Sequence, residues 1–167
     1  MGEMGVIEPT DAAIDVELID VERVWRELGP GALQLAAVMV GPHDAHDIAA
    51  SAFLRVTAST NWAHVTDRRA YLFRAVRNEA QNLYRTRARR WRRDLAAVRP
   101  ATHGDQPIDV DVYRALAHLT LRQRSVVFLA YWHDMTEADI AEMVDVSRST
   151  VHRDLRLARD RLRKELS

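Results

Sequence analysis

Arg74, Arg77, Asn78, Gln81 and Arg85 stand three, one, three and four residues apart in the stretch RRAYLFRAVRNEAQNLYRTRARRWRR, Arg68 to Arg93. At about 100° per residue, these positions share one side of a helix. Guanidinium groups pair with phosphate oxygens, and side-chain amides bond to the edges of bases. Tyr71, Tyr84 and Trp91 are close by in sequence, where they could serve as stacking platforms for unpaired bases. The pattern fits a nucleic-acid strand with its bases exposed. A solvated basic surface would show the same pattern. Leu72, Ala75, Val76, Ala80 and Leu83 fall on the opposite side, where a core belongs, and Glu79 falls among them, where pairing with a neighbouring arginine would account for it.

A second constellation lies near the C-terminus. MTEADIAEMV opens with Thr136 as an N-cap and Asp139 three residues on, in the capping-box position. DVS then interrupts the helix, and Ser147 can cap the next one. Val151, Leu155, Ala158 and Leu162 are spaced four, three and four apart as one apolar stripe. Ser149, Arg153, Arg156, Asp160 and Arg163 face the other way. Two helices joined by a short turn, with small Ala141 at the crossing, fit a helix-turn-helix whose second helix enters the major groove. A plain helical hairpin with a charged surface is the competing reading.

Other chemistry finds little support. The chain has no cysteine, which excludes disulfides, thiolate metal sites and cysteine nucleophiles. Of the seven histidines, His43 and His46 are three apart, a spacing that a metal could use. No carboxylate–histidine motif accompanies them. No catalytic residue, metal or cofactor is expected.

The elements that must position these residues are helical. The chain has 167 residues, 47% of them hydrophobic, enough for real cores. Glycine is sparse and no stretch alternates apolar and polar residues for long. The expected fold is all-α: two small helical domains joined by a flexible linker, the C-terminal one a helix-turn-helix. Residues 1–20 read as an acidic, loose tail. Residues 21–95 form the first block, residues 96–111 a linker with two prolines and a glycine, and residues 112–167 the second block. Within the first block, GALQLAAVMVG, Gly31 to Gly41, reads as one packing helix. PHDAHDIAASAFLRVTAS follows as another, with Ile48, Ala49, Ala52, Phe53 and Val56 on one face and Asp44 and Asp47 in its first turn. TNWAHVTD, Thr60 to Asp67, is a short loop with Trp62 expected to be exposed. No signal peptide or membrane-spanning run is seen, so a soluble cytoplasmic protein without membrane insertion is expected.

The formal net charge is zero, but it is unevenly distributed. From Met1 to Asp47 the acids are Glu3, Glu8, Asp11, Asp15, Glu17, Asp20, Glu22, Glu27, Asp44 and Asp47, against Arg23 and Arg26. From Arg68 to Arg99 eleven arginines meet only Glu79 and Asp94. An acidic front joined to a basic middle suggests two partners of opposite character. Lys164 is the only lysine, and arginine favours bidentate phosphate contacts. A GC-rich genome would give the same bias.

From about Gly31 to Leu166 the chain resembles bacterial RNA polymerase sigma factors of the extracytoplasmic-function class. The resemblance is strongest over LTLRQRSVVFLAYWHDMTEADIAEMVDVSRSTVHRDLRLARDRLRKEL, which is similar to sigma region four. DAHDIAASAFLRV and YLFRAVRNEAQN resemble parts of region two. The resemblance implies a factor that directs core polymerase to promoters. By that likeness, Asp44, Asp47, Phe53 and Arg55 would face the polymerase clamp. Asn61, Trp62 and His64 would sit in the loop that captures a flipped minus-ten base. Arg74, Arg77, Asn78, Gln81, Asn82 and Arg85 would hold the melted strand. Arg148, Ser149, Thr150, His152, Arg153 and Arg156 would contact the minus-thirty-five element. Implied partners are core RNA polymerase through its clamp and flap, promoter DNA and an anti-sigma factor. Two departures stand out: IAAS, Ile48 to Ser51, lacks the usual acidic or amide pair, and Asp145 replaces the usual turn glycine. The rival functions are a stand-alone regulator that binds duplex DNA without polymerase, and an enzyme.

Overall fold

A computed structural model describes the backbone of residues 11–93 and 115–165, and the side chains of residues 21–87 and 115–165. The expected linker at 96–111 and residues 1–10 of the expected tail lie outside the described residues, as does the side chain of Trp91. Among the described residues, the main α-helices in chain order are α1 Asp11–Val40, α2 Pro42–Thr57, α3 Arg68–Arg93, α4 Leu121–Trp132, α5 Glu137–Val144 and α6 Arg148–Glu165. A single 3-10 turn, Trp62–His64, interrupts the loop between α2 and α3. The described residues contain no strand, so the all-helical reading holds.

Helices α1, α2 and α3 pack against one another, and α4, α5 and α6 form a second group. Each buried stripe follows from its sequence period. Ile48, Ala49, Ala52, Phe53 and Val56 turn inward on α2, and Leu72, Val76 and Ala80 do so on α3. Helix α4 differs: Val126, Val127, Phe128 and Leu129 are all buried although consecutive. A helix that is apolar on several sides needs neighbours on several sides. Helix α4 has them, with α5 and α6 on one flank and α1 of the first block on the other. The buried apolar cluster therefore runs without a break from Val24 to Ala158.

Two expectations about the first block change. Residues 11–20 are helical rather than a loose tail, because α1 begins at Asp11. Acidic residues and alanine at a helix start suit both the dipole and the helical backbone. The helix expected from Gly31 is also only the last third of α1, which continues through Gly29, Pro30 and Gly31. Packing overrides the break. A Cβ on Gly29 would lie 2.8 Å from the Trp25 ring, and one on Gly31 would lie 3.0 Å from Phe73. Both glycines allow a close approach that another residue would block.

Candidate nucleic-acid interface

The helix-turn-helix is built from its caps. The Thr136 hydroxyl accepts from the Asp139 amide, and the Asp139 carboxylate accepts from the Thr136 amide, so α5 starts with the reciprocal box its sequence predicts. Asp145 ends α5 in the left-handed conformation, at φ 55° and ψ 57°. Aspartate tolerates this region better than most residues, which is why the turn survives without glycine. Ser147 then accepts from the Thr150 amide at 3.3 Å and starts α6.

Helix α6 buries Val151, Leu155 and Ala158 and half-buries Leu162, the stripe read from the sequence. Arg148, Ser149, His152, Arg153 and Arg156 are exposed and Thr150 is half-buried. The first turn of α5 reaches this face. Glu137 Oε1 lies 3.0 Å from His152 Nδ1, and Glu137 Oε2 lies 3.6 Å from Arg148 Nε. The hydrogen bond with His152 holds the Glu137 carboxyl below its ordinary value, helped by the charges of His152 and Arg148.

Asp154 is the residue the pattern missed. It is 3% exposed and pairs with Arg122 of α4, with Nε 2.5 Å from Oδ2. Its signal was its place, three residues after Val151 and on the buried side of α6. The neighbouring Gln123 and Arg124 of the RQR sequence are equally structural. Gln123 closes the capping box with Thr120 and accepts from Arg161 at 3.3 Å. Arg124 donates to the Met39 carbonyl at the end of α1 at 2.7 Å, and to the Tyr84 hydroxyl of α3 at 3.2 Å.

On α3, Arg74, Asn78, Asn82 and Arg85 are exposed, whereas Arg77 and Gln81 are half-buried. Arg77 forms a cleft with Arg74 and Asn78 on one wall and Glu142, Met143 and Asp145 of α5 and its turn on the other. Burial lowers the Arg77 guanidinium from its ordinary value, and the Asp145 carboxylate opposes that shift. Glu79 now has its reason: it pairs with Arg55 of α2.

In the loop before α3, Asn61 and His64 are exposed. Trp62 is not the exposed ring expected. It packs partly into the core, 6.3 Å from Tyr71, with the Arg68 guanidinium 5.0 Å above it.

The proposed polymerase residues separate by burial. Asp47 is exposed, and Asp44 pairs with Arg87 at 2.8 Å. Phe53 is only 5% exposed, with its ring edge-on to Trp25 at 4.8 Å. It is a core residue, so the expectation that it contacts a partner is corrected. The exposed apolar side chain is Leu54, one position on and 65% exposed. No group of His, Asp and Glu suited to a metal occurs among the described residues. None of the described helices is long and apolar enough to cross a membrane.

Residues 109–162 match the family described as Sigma-70, region 4. The RNA polymerase sigma-E factor of Streptomyces avermitilis is 32% identical, over 90% of this chain and 87% of its own length. The sigma-E factor of Streptomyces coelicolor is 31% identical, over 90% and 88%. The fold is also similar to that of the sigma factor RpoE from Bartonella quintana, solved with the anti-sigma factor NepR. The TM-score is 0.73 at 22% identity, over 88% of this chain and 96% of that one. The chain belongs to the extracytoplasmic-function sigma factors of the sigma-70 family, non-enzymatic proteins through which RNA polymerase recognises promoters.

Proposed function

We propose that the two polar faces divide promoter recognition between them. Arg148, Ser149, Thr150, His152, Arg153 and Arg156 take the minus-thirty-five duplex. Arg74, Arg77, Asn78, Gln81, Asn82 and Arg85, with Asn61, Trp62 and His64, take the minus-ten strand after melting. The observation that carries this reading is the split of α6, with one stripe buried and the N-terminal part of its opposite side exposed to solvent, the arrangement a helix needs to enter a groove. The basic wall of α3 suits a strand whose bases are unstacked, since their hydrogen-bonding edges are free only outside the duplex. Asp44, Asp47 and Arg55 on α2 offer charge to the polymerase clamp, and the second block meets the flap. The likeness to a sigma factor solved with an anti-sigma protein supports such a partner here; it would span both blocks. The factor acts in the cytoplasm, with the polymerase.

Because the chain lacks cysteine, one introduced thiol places a cleavage reagent uniquely. In reconstituted holoenzyme, a reagent on His152→Cys should cut promoter DNA around the minus-thirty-five element. On Asn61→Cys it should cut around the minus-ten element. Cleavage at the opposite elements, or none near either, rejects the assignment.

A further inference from the structure

The first turns of α6 carry side chains that are already held. Arg148 and His152 stand one turn apart, and Glu137, from the first turn of α5, reaches both. Glu137 Oε1 lies 3.0 Å from His152 Nδ1, and Oε2 lies 3.6 Å from Arg148 Nε. Beside them the Ser147 hydroxyl lies 3.0 Å from that of Ser149 and 2.9 Å from that of Thr150. Glu137 is half-buried, whereas Arg148 and His152 are exposed. The hydrogen bond with His152 holds the Glu137 carboxyl below its ordinary value, so it is ionised and can only accept. The proton of this contact is then on Nδ1. A neutral imidazole has one N–H, so Nε2 is left with a lone pair. The Arg148 guanidinium supplies the carboxylate with its countercharge, so the ring need not.

We propose that Glu137 is a positioning residue that fixes the neutral His152 ring with its proton on Nδ1, so that Nε2 meets the minus-thirty-five duplex as an acceptor and bonds to the amino group of an adenine or a cytosine. The proposal rests on the reading of α6 as the minus-thirty-five helix. In the major groove adenine N6 and cytosine N4 donate, whereas guanine O6 and thymine O4 accept. An acceptor at Nε2 bonds to the first two and is repelled by the second two. Each base pair shows one such amino group, on one strand, so the contact tells the orientation of the pair. Phosphate oxygens accept and do not donate, so a ring in this form gains nothing at the backbone. Glu137 thereby converts a side chain that could grip any duplex into one that reads sequence, without touching DNA itself.

The test uses reconstituted holoenzyme and a promoter library randomised across the minus-thirty-five element. The position that loses its base preference in His152→Ala is the one the ring reads. At that position the amino group is then deleted, by purine in place of adenine or pyrimidin-2-one in place of cytosine. The deletion should weaken promoter binding by the parent about three- to ten-fold, the weight of one hydrogen bond, and leave His152→Ala unmoved. Glu137→Gln keeps the length of the side chain, but its amide both donates and accepts, so both ring forms compete. The loss should shrink by about two-fold or more in this variant. Nitrogen-15 shifts of the imidazole, taken on the full chain at about pH 8 and assigned by their disappearance in His152→Ala, report the proton directly. The parent should show Nδ1 protonated and Nε2 bare, and Glu137→Gln should move protons to Nε2. A parent ring with its proton on Nε2 or on both nitrogens overturns the proposal. So does a parent indifferent to the amino group, a loss that is the same in Glu137→Gln, or a library in which no position answers to His152. The α6 reading fails differently: Ser149→Ala, His152→Ala and Arg153→Ala would then all leave every upstream preference untouched.

Discussion

Arg122 and Asp154 form an unequal pair: the arginine side chain is 41% exposed and the aspartate 4%. The inequality sets what each loss costs. Arg122→Ala leaves a carboxylate buried without its cation and should destabilise the chain by about 3 kcal/mol. Asp154→Asn leaves an arginine that can swing into water and should cost about 1–2 kcal/mol. Urea unfolding of the two variants checks the order. An equal loss would mean that Asp154 finds another partner.

Phe53 and Leu54 are adjacent and have opposite environments. Phe53→Ala should cost about 3 kcal/mol or more, because it opens a cavity beside Trp25. Leu54→Ala should leave the melting temperature nearly unchanged. If Leu54 lies on the clamp-binding surface, the same change should weaken association with core polymerase, measured by co-elution.

His133 should make the packing of the blocks sensitive to acid. Burial holds its imidazole below the ordinary value of 6.5, the Arg69 charge adds to this, and Asp134 opposes it. A depressed value means that the packed state prefers the neutral ring. The contribution is complete above the ordinary value and is lost as pH falls through the lowered one. Melting temperatures measured from about pH 7.5 to about pH 5 should fall more in the parent than in His133→Gln. Parallel curves would assign the acid sensitivity elsewhere.

The two DNA faces should separate by step. Arg153→Ala or Ser149→Ala should each cost about 1–3 kcal/mol at the upstream element. Arg77→Ala with Asn78→Ala should leave upstream recognition intact and block opening, read by permanganate reactivity of melted thymines. Asp47→Lys should spare both DNA steps and weaken docking on core polymerase through like-charge repulsion. Tight, specific duplex binding by the isolated chain, with opening unaffected by Arg77 and Asn78, would contradict this division.

Local patterns were legible where one stripe faces one core. The α3 stripe, the α5 capping box and the Val151–Leu162 stripe of α6 all follow from residue spacing. Contacts between segments far apart in sequence were not. Arg124 bonds to a carbonyl 85 positions away, and nothing near RQR announces that partner. Asp154 drew no reading from the sequence, and Phe53, which its spacing already placed on the buried face of α2, was given to a partner only by resemblance. The helix expected from Gly31 starts too late because local propensity cannot show that Trp25 and Phe73 need the space beside Gly29 and Gly31.

Each helix of the C-terminal block has its starting point written beside it: Thr120 with Gln123 for α4, Thr136 with Asp139 for α5, and Ser147 for α6. Such marks fix the rotational phase of a helix as well as its length. If α6 slipped by one residue against the core, every side chain would turn by about 100° relative to its neighbours on α4 and α5. Arg153 would leave the proposed DNA side and Asp154 would leave Arg122. Ser147 thus acts as an index pin: the aim of the recognition helix is set by a hydroxyl that need never touch a base.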